Sequence, residues 1–197
     1  SASITTAFYT SKDIVKAMWS GVEAFGLGKK TMNVIEPRVG SGNFIGWQPS
    51  TMRNNSKWSA AEIDTVTGNI AALIYDDANV QVMGYQEAGF KEGVFSLAIG
   101  NPPFGSLAIN DTQFPDISGM RIHNYMIAKS AKLLHENGLM MMVVTNRFLD
   151  TQNENHSKLS KTMDFVGAVL SGLISRGTIP LIDTPQSTEA LARFPLL

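Results

Sequence analysis

The chain has 197 residues, 44% of them hydrophobic, with 16 basic and 17 acidic side chains and a formal net charge of −1. That length and apolar content predict one α/β domain with a full core; no apolar run reaches the roughly 18 residues of a membrane span, and no charged-then-apolar leader precedes the first element, so a soluble, cytoplasmic setting is expected. The absence of cysteine excludes disulfides, thiolate metal sites and any chemistry that begins with a cysteine nucleophile, methylation at C5 of cytosine among them.

Taken in chain order, Ser11 is a plausible N-cap for an amphipathic helix with Ile14, Val15, Met18, Val22 and Phe25 on its apolar side, closed by Gly26. Residues 32–36 read as a short buried strand ending in Glu36, followed by Pro37, Arg38, Val39 and the turn Gly40-Ser41-Gly42-Asn43-Phe44. A second strand is expected near residues 58–63, ending in the acids Glu62 and Asp64, and then a helix over 65–75 that should bury Val66, Ile70, Leu73 and Ile74. Strands are predicted at 80–83 and 94–100, a long loop at 105–119, a helix at 121–136 ended by Asn137-Gly138, and a strand at 139–145 buried on both faces. The alternation of strands and helices predicts a mostly parallel sheet with helices on both faces. Beyond it, Asn146 to Asp150 should border the site, with Arg147 facing phosphate or a surface acid, and a helix is expected at 159–170.

Three segments carry chemistry. Asn101-Pro102-Pro103-Phe104 follows the 94–100 strand. An exocyclic amino group on a base is a poor nucleophile because its lone pair is delocalised into the ring. A side-chain amide oxygen and a backbone carbonyl held by consecutive prolines can accept both amino hydrogens and free that lone pair, and Phe104 offers a face for a flipped base. Read alone, the prolines could equally well just end a strand. The Gly40-Ser41-Gly42 turn after an acid-terminated strand lets backbone approach a ligand closely, although its third glycine position is Ile45, unlike a dinucleotide fingerprint. Glu62 and Asp64 suit the two hydroxyls of a ribose or, alternatively, a helix N-cap and solvated surface. No two histidines have metal-ligand spacing; His135 and His156 read as surface residues.

The order Phe8-Tyr9-Thr10, Glu36-Pro37 to Phe44, Glu62-Ile63-Asp64 and Asn101-Pro102-Pro103-Phe104 resembles the N6-adenine DNA methyltransferases. The resemblance is to the branch found in large restriction-modification and plasmid or phage methylase–helicase proteins, and it covers residues 7–169. It implies a Rossmann-like S-adenosylmethionine-dependent methyltransferase fold, incomplete at its C-terminal end, and methyl transfer from S-adenosylmethionine to N6 of adenine in DNA. It further implies that Phe8, Tyr9 and Thr10 approach the methionine end of the cofactor and that Glu36, Pro37, Gly40, Gly42 and Asn43 form its loop. Glu62 would hold the ribose, Ile63 would pack on the cofactor adenine, and Gln86 or Glu87 would supply a further contact. Asn101, Pro102, Pro103 and Phe104 would hold the target base, and His123, Asn124 and Tyr125 would line its pocket. No metal is implied.

Two positions depart from the family pattern: Arg38 stands where a small residue is usual, and Ser96 where an acid is usual. Arg38 beside a sulfonium calls for a carboxylate partner, either Glu36 or the cofactor's own. The near-neutral charge places the main DNA-reading surface outside this chain, since a domain gripping duplex DNA alone is normally basic. The chain opens on Ser1, as an excised or processed chain would, and residues 171–197 resemble nothing in the family, so the domain reading is 1–170 catalytic and 171–197 divergent or truncated. Asn-Pro-Pro-aromatic motifs also occur in methyltransferases of RNA amino groups and of protein glutamine amides, and a weakly active cofactor- or DNA-binding module of a larger protein is the third reading.

Overall fold

The structure, a computed structural model, describes residues 10–144. Phe8, Tyr9, Arg147, His156, the helix expected at 159–170 and the segment 171–197 lie outside them.

Five strands form one parallel sheet: β1 (Met32–Glu36), β2 (Ser56–Ala61), β3 (Asn79–Gln81), β4 (Phe95–Gly100) and β5 (Leu134–Met142), in the spatial order β3-β2-β1-β4-β5. The chain adds β2 and β3 on one side of β1, then returns to add β4 and β5 on the other. The reversal opens a crevice at the carboxyl ends of β1 and β4, where open α/β sheets bind ligands. Helices α1 (Lys12–Ala24), α2 (Asn43–Gly46), α3 (Ser50–Arg53), α4 (Thr65–Ile74) and α5 (Ile122–Leu133) complete the described elements.

Each sheet face carries its own core. On one, Val15, Trp19 and Val22 of α1 pack with Val34, Trp58, Leu97, Ile99, Leu139 and Met141. Trp19 and Trp58 meet edge to face at 5.9 Å. Their indole N–H groups donate to the Phe44 carbonyl and to Gln48 Oε1, each at 3.0 Å, so neither polar handle is stranded in the core. On the other face, Tyr125, Ile127, Ala128 and Leu133 of α5 pack with Ile35, Ala98 and Met140. Leu139, Met140 and Met141 thus alternate between the two cores, as a strand buried on both faces requires. Ser96, at the position usually acidic, accepts from the Asn33 N–H at 3.3 Å and helps tie β4 to β1.

Ser11 caps α1 as expected, its Oγ accepting from the Ile14 N–H at 3.5 Å. Several element boundaries differ from expectation. β2 starts two residues early and stops at Ala61, so Glu62 lies just past the strand, and β3 ends at Gln81. Helix α5 ends at Leu133 and runs straight into β5; Asn137, at φ 66, and Gly138 form an irregularity inside that strand rather than a helix stop. Asn tolerates this left-handed conformation, and the extra residues separate the pairs Phe95–Leu134 and Leu97–Leu139. The segment 105–119 holds no helix and no strand of the sheet, in line with the loop expected there, and is anchored by Ile109, Phe114 and Ile117, which lie with Met120 in the core beside α5; the Ile109 N–H donates to the Met120 carbonyl at 3.0 Å.

Helix α4 overturns its expected orientation. Val66, Ile70, Leu73 and Ile74 are 46–81% exposed, and the buried residues are Gly68 and Ala71. A Cβ on Gly68 would lie 3.0 Å from Val82 Cγ1 and 3.3 Å from Glu62 Cβ, so the helix sits too close to the sheet edge for large side chains to face inward.

Candidate active site

The crevice at the switch point is built from the ends of β1, β2 and β4. Glu36 ends β1 and is 1% exposed, its side chain beside Gly100, where an added Cβ would approach Glu36 Cγ to 3.5 Å. Burial, reinforced by the nearby Glu62 carboxylate, raises the Glu36 pKa well above the ordinary range, and Glu36 Oε2 has no hydrogen-bond partner among the described residues. After Pro37 the chain turns through Gly40 (φ 53) and Gly42 (φ 82), conformations that L side chains rarely adopt. A Cβ on Gly42 would also fall 2.1 Å from the Tyr75 ring.

The next acids separate into two roles. Asp64 is the N-cap of α4, its Oδ1 accepting from the Thr67 N–H at 2.8 Å and from the Thr67 hydroxyl at 2.7 Å; these bonds lower its pKa. Glu62 is 2% exposed and latches the glycine turn: Oε2 accepts from the Gly40 N–H at 2.9 Å and Oε1 from the Asp64 N–H at 3.0 Å. Arg38 turns to this same carboxylate, its Nε 3.9 Å from Glu62 Oε2. Among the described residues the ion pair of Arg38 is therefore with Glu62 rather than with Glu36.

Thr10 joins the glycine turn to the Asn-Pro-Pro-Phe segment. Its carbonyl accepts from Asn43 Nδ2 at 3.1 Å, and its hydroxyl accepts from Asn101 Nδ2, also at 3.1 Å. The Asn43 amide is steadied in turn by the Ser41 hydroxyl, which donates to Oδ1 at 3.1 Å. With its nitrogen held by Thr10, Asn101 presents Oδ1, which is buried and has no partner among the described residues. Pro102 and Pro103 are buried, whereas Phe104 is 41% exposed. The ring of Phe104 lies 4.9 Å from that of His123, tilted by 37°. Burial lowers the His123 pKa, opposed by the Pro102 and Pro103 backbone.

Thr10, Glu36, Gly40, Gly42, Asn43, Glu62 and Asn101 are thus gathered at one edge, two of them with buried, unused acceptor atoms. Ile63 stands 67% exposed beside them. Glu87 is not drawn into this cluster: it is exposed and accepts from the Gly84 N–H at 3.2 Å, holding its own turn, while the Gln86 amide lies over Gly84. Sequence reasoning passed over Tyr85, Asp111 and Lys129, which form a buried polar cluster behind the site. The signal available was Lys129 itself, four residues after Tyr125 on an otherwise apolar helix side, a place a lysine occupies only with partners. Among the described residues no group of acids and histidines could hold a metal ion, and no helix is long and apolar enough to cross a membrane.

Comparison with known proteins addresses the family and the fold. The chain is 24% identical over 166 residues to the Defense against restriction protein B of Escherichia phage P1, a match covering 82% of this chain and 7% of that protein. It superposes on the type I restriction-modification methyltransferase subunit of Streptococcus thermophilus with a TM-score of 0.64 at 17% identity, covering 82% of this chain and 39% of that one. A Listeria monocytogenes protein assigned to the class I S-adenosylmethionine-dependent methyltransferases gives 0.63 at 13% identity, over 79% of this chain and 51% of that one. The chain therefore spans only part of the length of these relatives, and at such identities the structural likeness speaks for the fold, that of S-adenosylmethionine-dependent methyltransferases. The Eco57I restriction-modification methylase family matches residues 29–165, well over half of the chain. With parallel strands in the order β3-β2-β1-β4-β5 and the Asn-Pro-Pro-Phe segment at their switch point, this chain belongs to the Eco57I restriction-modification methylase family.

Proposed function

We propose that this chain is the catalytic part of a DNA methyltransferase that uses S-adenosylmethionine and methylates N6 of adenine, in a cytoplasmic setting. The observation that carries this reading is Asn101 Oδ1, a buried acceptor left without a partner while its own amide nitrogen is held by Thr10. A buried acceptor in this state is costly unless a donor arrives, and an exocyclic amino group is such a donor. Asn101 Oδ1 accepts one amino hydrogen and a backbone carbonyl of the Asn-Pro-Pro segment accepts the other. Both acceptors are fixed in advance, Asn101 by Thr10 and the prolines by their rings and burial, so little reorganisation accompanies the reaction. Phe104 takes the face of the extruded base, and Pro103 backs it.

S-adenosylmethionine supplies a methyl group already activated by its sulfonium. The residues present fit it: Glu36 offers an unpartnered buried carboxylate oxygen, the glycine turn offers close backbone approach, and Ile63 offers a bare apolar side chain for a ring. Thr10, with Phe8 and Tyr9 before it, borders the methionine end; Glu36, Pro37, Gly40, Gly42 and Asn43 form the loop; Glu62 binds the ribose; Glu87 and the turn it holds border the adenine. Each Glu62 oxygen already accepts one backbone N–H but has a second lone pair, so it can bind hydroxyls without releasing the glycine turn. The Arg38–Glu62 pair keeps the guanidinium occupied, which limits its repulsion of a sulfonium. The surface that reads DNA sequence lies outside this chain, whose near-neutral charge does not suit gripping duplex DNA alone.

The test is methyl transfer from isotopically labelled S-adenosylmethionine to adenine-containing single-stranded oligonucleotides, structured RNA and a glutamine-containing peptide. Single strands are chosen because extrusion from a duplex is then unnecessary. Label recovered as N6-methyladenine in DNA supports the reading; label confined to RNA, peptide or cytosine contradicts it.

A further inference from the structure

A buried ion pair lies behind the site and serves none of the roles above. Lys129 of α5 and Asp111 of the 105–121 loop are paired at 3.0 Å with both side chains fully buried. The pair is completed on every side. Asp111 Oδ2 also accepts from the Tyr125 hydroxyl, and Oδ1 accepts from the N–H groups of Gln113 at 2.7 Å and Phe114 at 3.1 Å. The Lys129 ammonium donates additionally to the carbonyls of Tyr85, at 2.8 Å, and Ala88, at 3.5 Å. Tyr85 returns to α5 through its hydroxyl, 3.1 Å from Ser130 Oγ. Burial raises the Asp111 pKa, but its hydrogen bonds to Tyr125 and Lys129 outweigh this and hold it below the ordinary value; burial lowers that of Lys129, against the attraction of Asp111.

What the ammonium joins is informative. Tyr85 and Ala88 flank Gln86 and Glu87, in the turn that follows β3. Asp111 stands seven residues after Phe104, in the loop that follows the Asn-Pro-Pro-Phe segment. A second bond, Gln113 Nε2 to the Phe90 carbonyl at 2.9 Å, runs beside the first between the same two segments. One buried cation therefore fastens the segment assigned to the cofactor adenine and the loop that follows the target-base motif to a single helix, whose first turn places His123 against Phe104. A pair of apolar side chains could fill this volume, and replacing buried ion pairs in that way is often neutral for stability. The directional bonds to two separate loops are what an apolar pair could not supply.

We propose that Lys129 is a positioning residue that, through Asp111, holds the 84–88 turn and the 105–121 loop in one register, so that occupation of the cofactor side orders the target-base side. This rests on the proposed function for the identity of the two sides, but the mechanical link does not depend on it. Cofactor binding and acceptor binding should be coupled by about tenfold, within the usual range for linked sites.

The experiment compares the full chain with Asp111→Leu/Lys129→Met, an apolar pair meant to refill the volume, with Tyr125→Phe, which removes one hydrogen bond and keeps both charges, and with Lys132→Ala. Lys132, half-buried, pairs with the exposed Asp116 on the same loop, 2.8 Å apart, and serves as control. Hydrogen exchange is followed in peptides covering 84–90 and 105–115, with and without S-adenosylmethionine, and KM for the oligonucleotide is measured beside kcat. The expected result is that added S-adenosylmethionine slows exchange in both segments of the parent and of Lys132→Ala, whereas in the apolar pair it slows only 84–90. In the apolar pair KM for the acceptor rises about tenfold with kcat nearly unchanged, and Tyr125→Phe shows a smaller effect of the same kind. Protection still passing to 105–115 in the apolar pair or, should that variant not fold, full parental behaviour in Tyr125→Phe, would overturn the proposal. If the parent neither binds S-adenosylmethionine nor transfers methyl, the functional reading fails instead; basal exchange then decides the link, which requires both segments to loosen together in the variants.

Discussion

Helices α5 and α4 are both rich in large apolar residues and use them in opposite ways. Helix α5 is an interior element: from Tyr125 to Ser130 every residue is buried, the Lys129 ammonium included, and the polar groups of Tyr125, Lys129 and Ser130 are all hydrogen-bonded. Helix α4 lies on the sheet's edge with Gly68 and Ala71 turned inward, while Val66, Ile70, Leu73 and Ile74 face outward beside Ile63. The first arrangement makes a helix intolerant of change and suited to holding loops in place. The second makes a helix whose outer residues matter little to the fold and present an apolar surface near the site.

The largest expected effect falls on α5. Lys129→Met alone strands the Asp111 carboxylate in the core and should lower unfolding free energy by about 3–5 kcal/mol, read from urea melts. A loss under about 1 kcal/mol would mean that the loop opens and hydrates the acid. Next comes Gly42→Ala in the turn between the two halves, where a left-handed φ and the Tyr75 ring both oppose a methyl group; a loss of about 1–3 kcal/mol is expected, with weakened cofactor binding.

Glu36→Gln should separate function from stability. The folded chain binds a proton at Glu36 more readily than the unfolded chain does, because burial and Glu62 raise its pKa. Its favourable contribution is therefore complete below the unfolded value near 4.5 and is lost as pH rises through the raised folded value. The glutamine variant should lose this decline, melt higher than the parent at neutral pH, and bind S-adenosylmethionine about tenfold less tightly. A lower melting temperature at neutral pH would show that the carboxylate has a stabilising partner after all. The smallest effect is expected on α4: Leu73→Glu should change stability by no more than about 0.5 kcal/mol in urea melts. A loss as large as that of Lys129→Met would erase the contrast between the helices.

This contrast also marks what could be read from the chain. The strand order along the sequence, the two glycines of the turn and Asn101 at a strand end were legible, because each is a local statement about backbone or about one side chain's chemistry. The outward face of α4 was not. Periodicity reveals that an apolar stripe exists, and only the tight approach at Gly68 decides which way it points. Lys129 was hidden for the complementary reason: its partners Asp111 and Tyr85 lie 18 and 44 residues away, and nothing local in the loop distinguishes Asp111 from a solvated acid. The division of labour between Glu62 and Asp64 was likewise undecidable, since both were plausible caps and only the latch to Gly40 separates them.

The most direct test of the central claim is Asn101→Ala, studied by calorimetric titration with S-adenosylmethionine beside labelled methyl transfer to an adenine-containing oligonucleotide. If Asn101 Oδ1 waits for an amino group, cofactor affinity should stay within about threefold of the parent while transfer falls by about a thousandfold or more. Loss of both in equal measure would make Asn101 a structural support of the cofactor site, held there by Thr10, and would remove the amino-group acceptor from the mechanism.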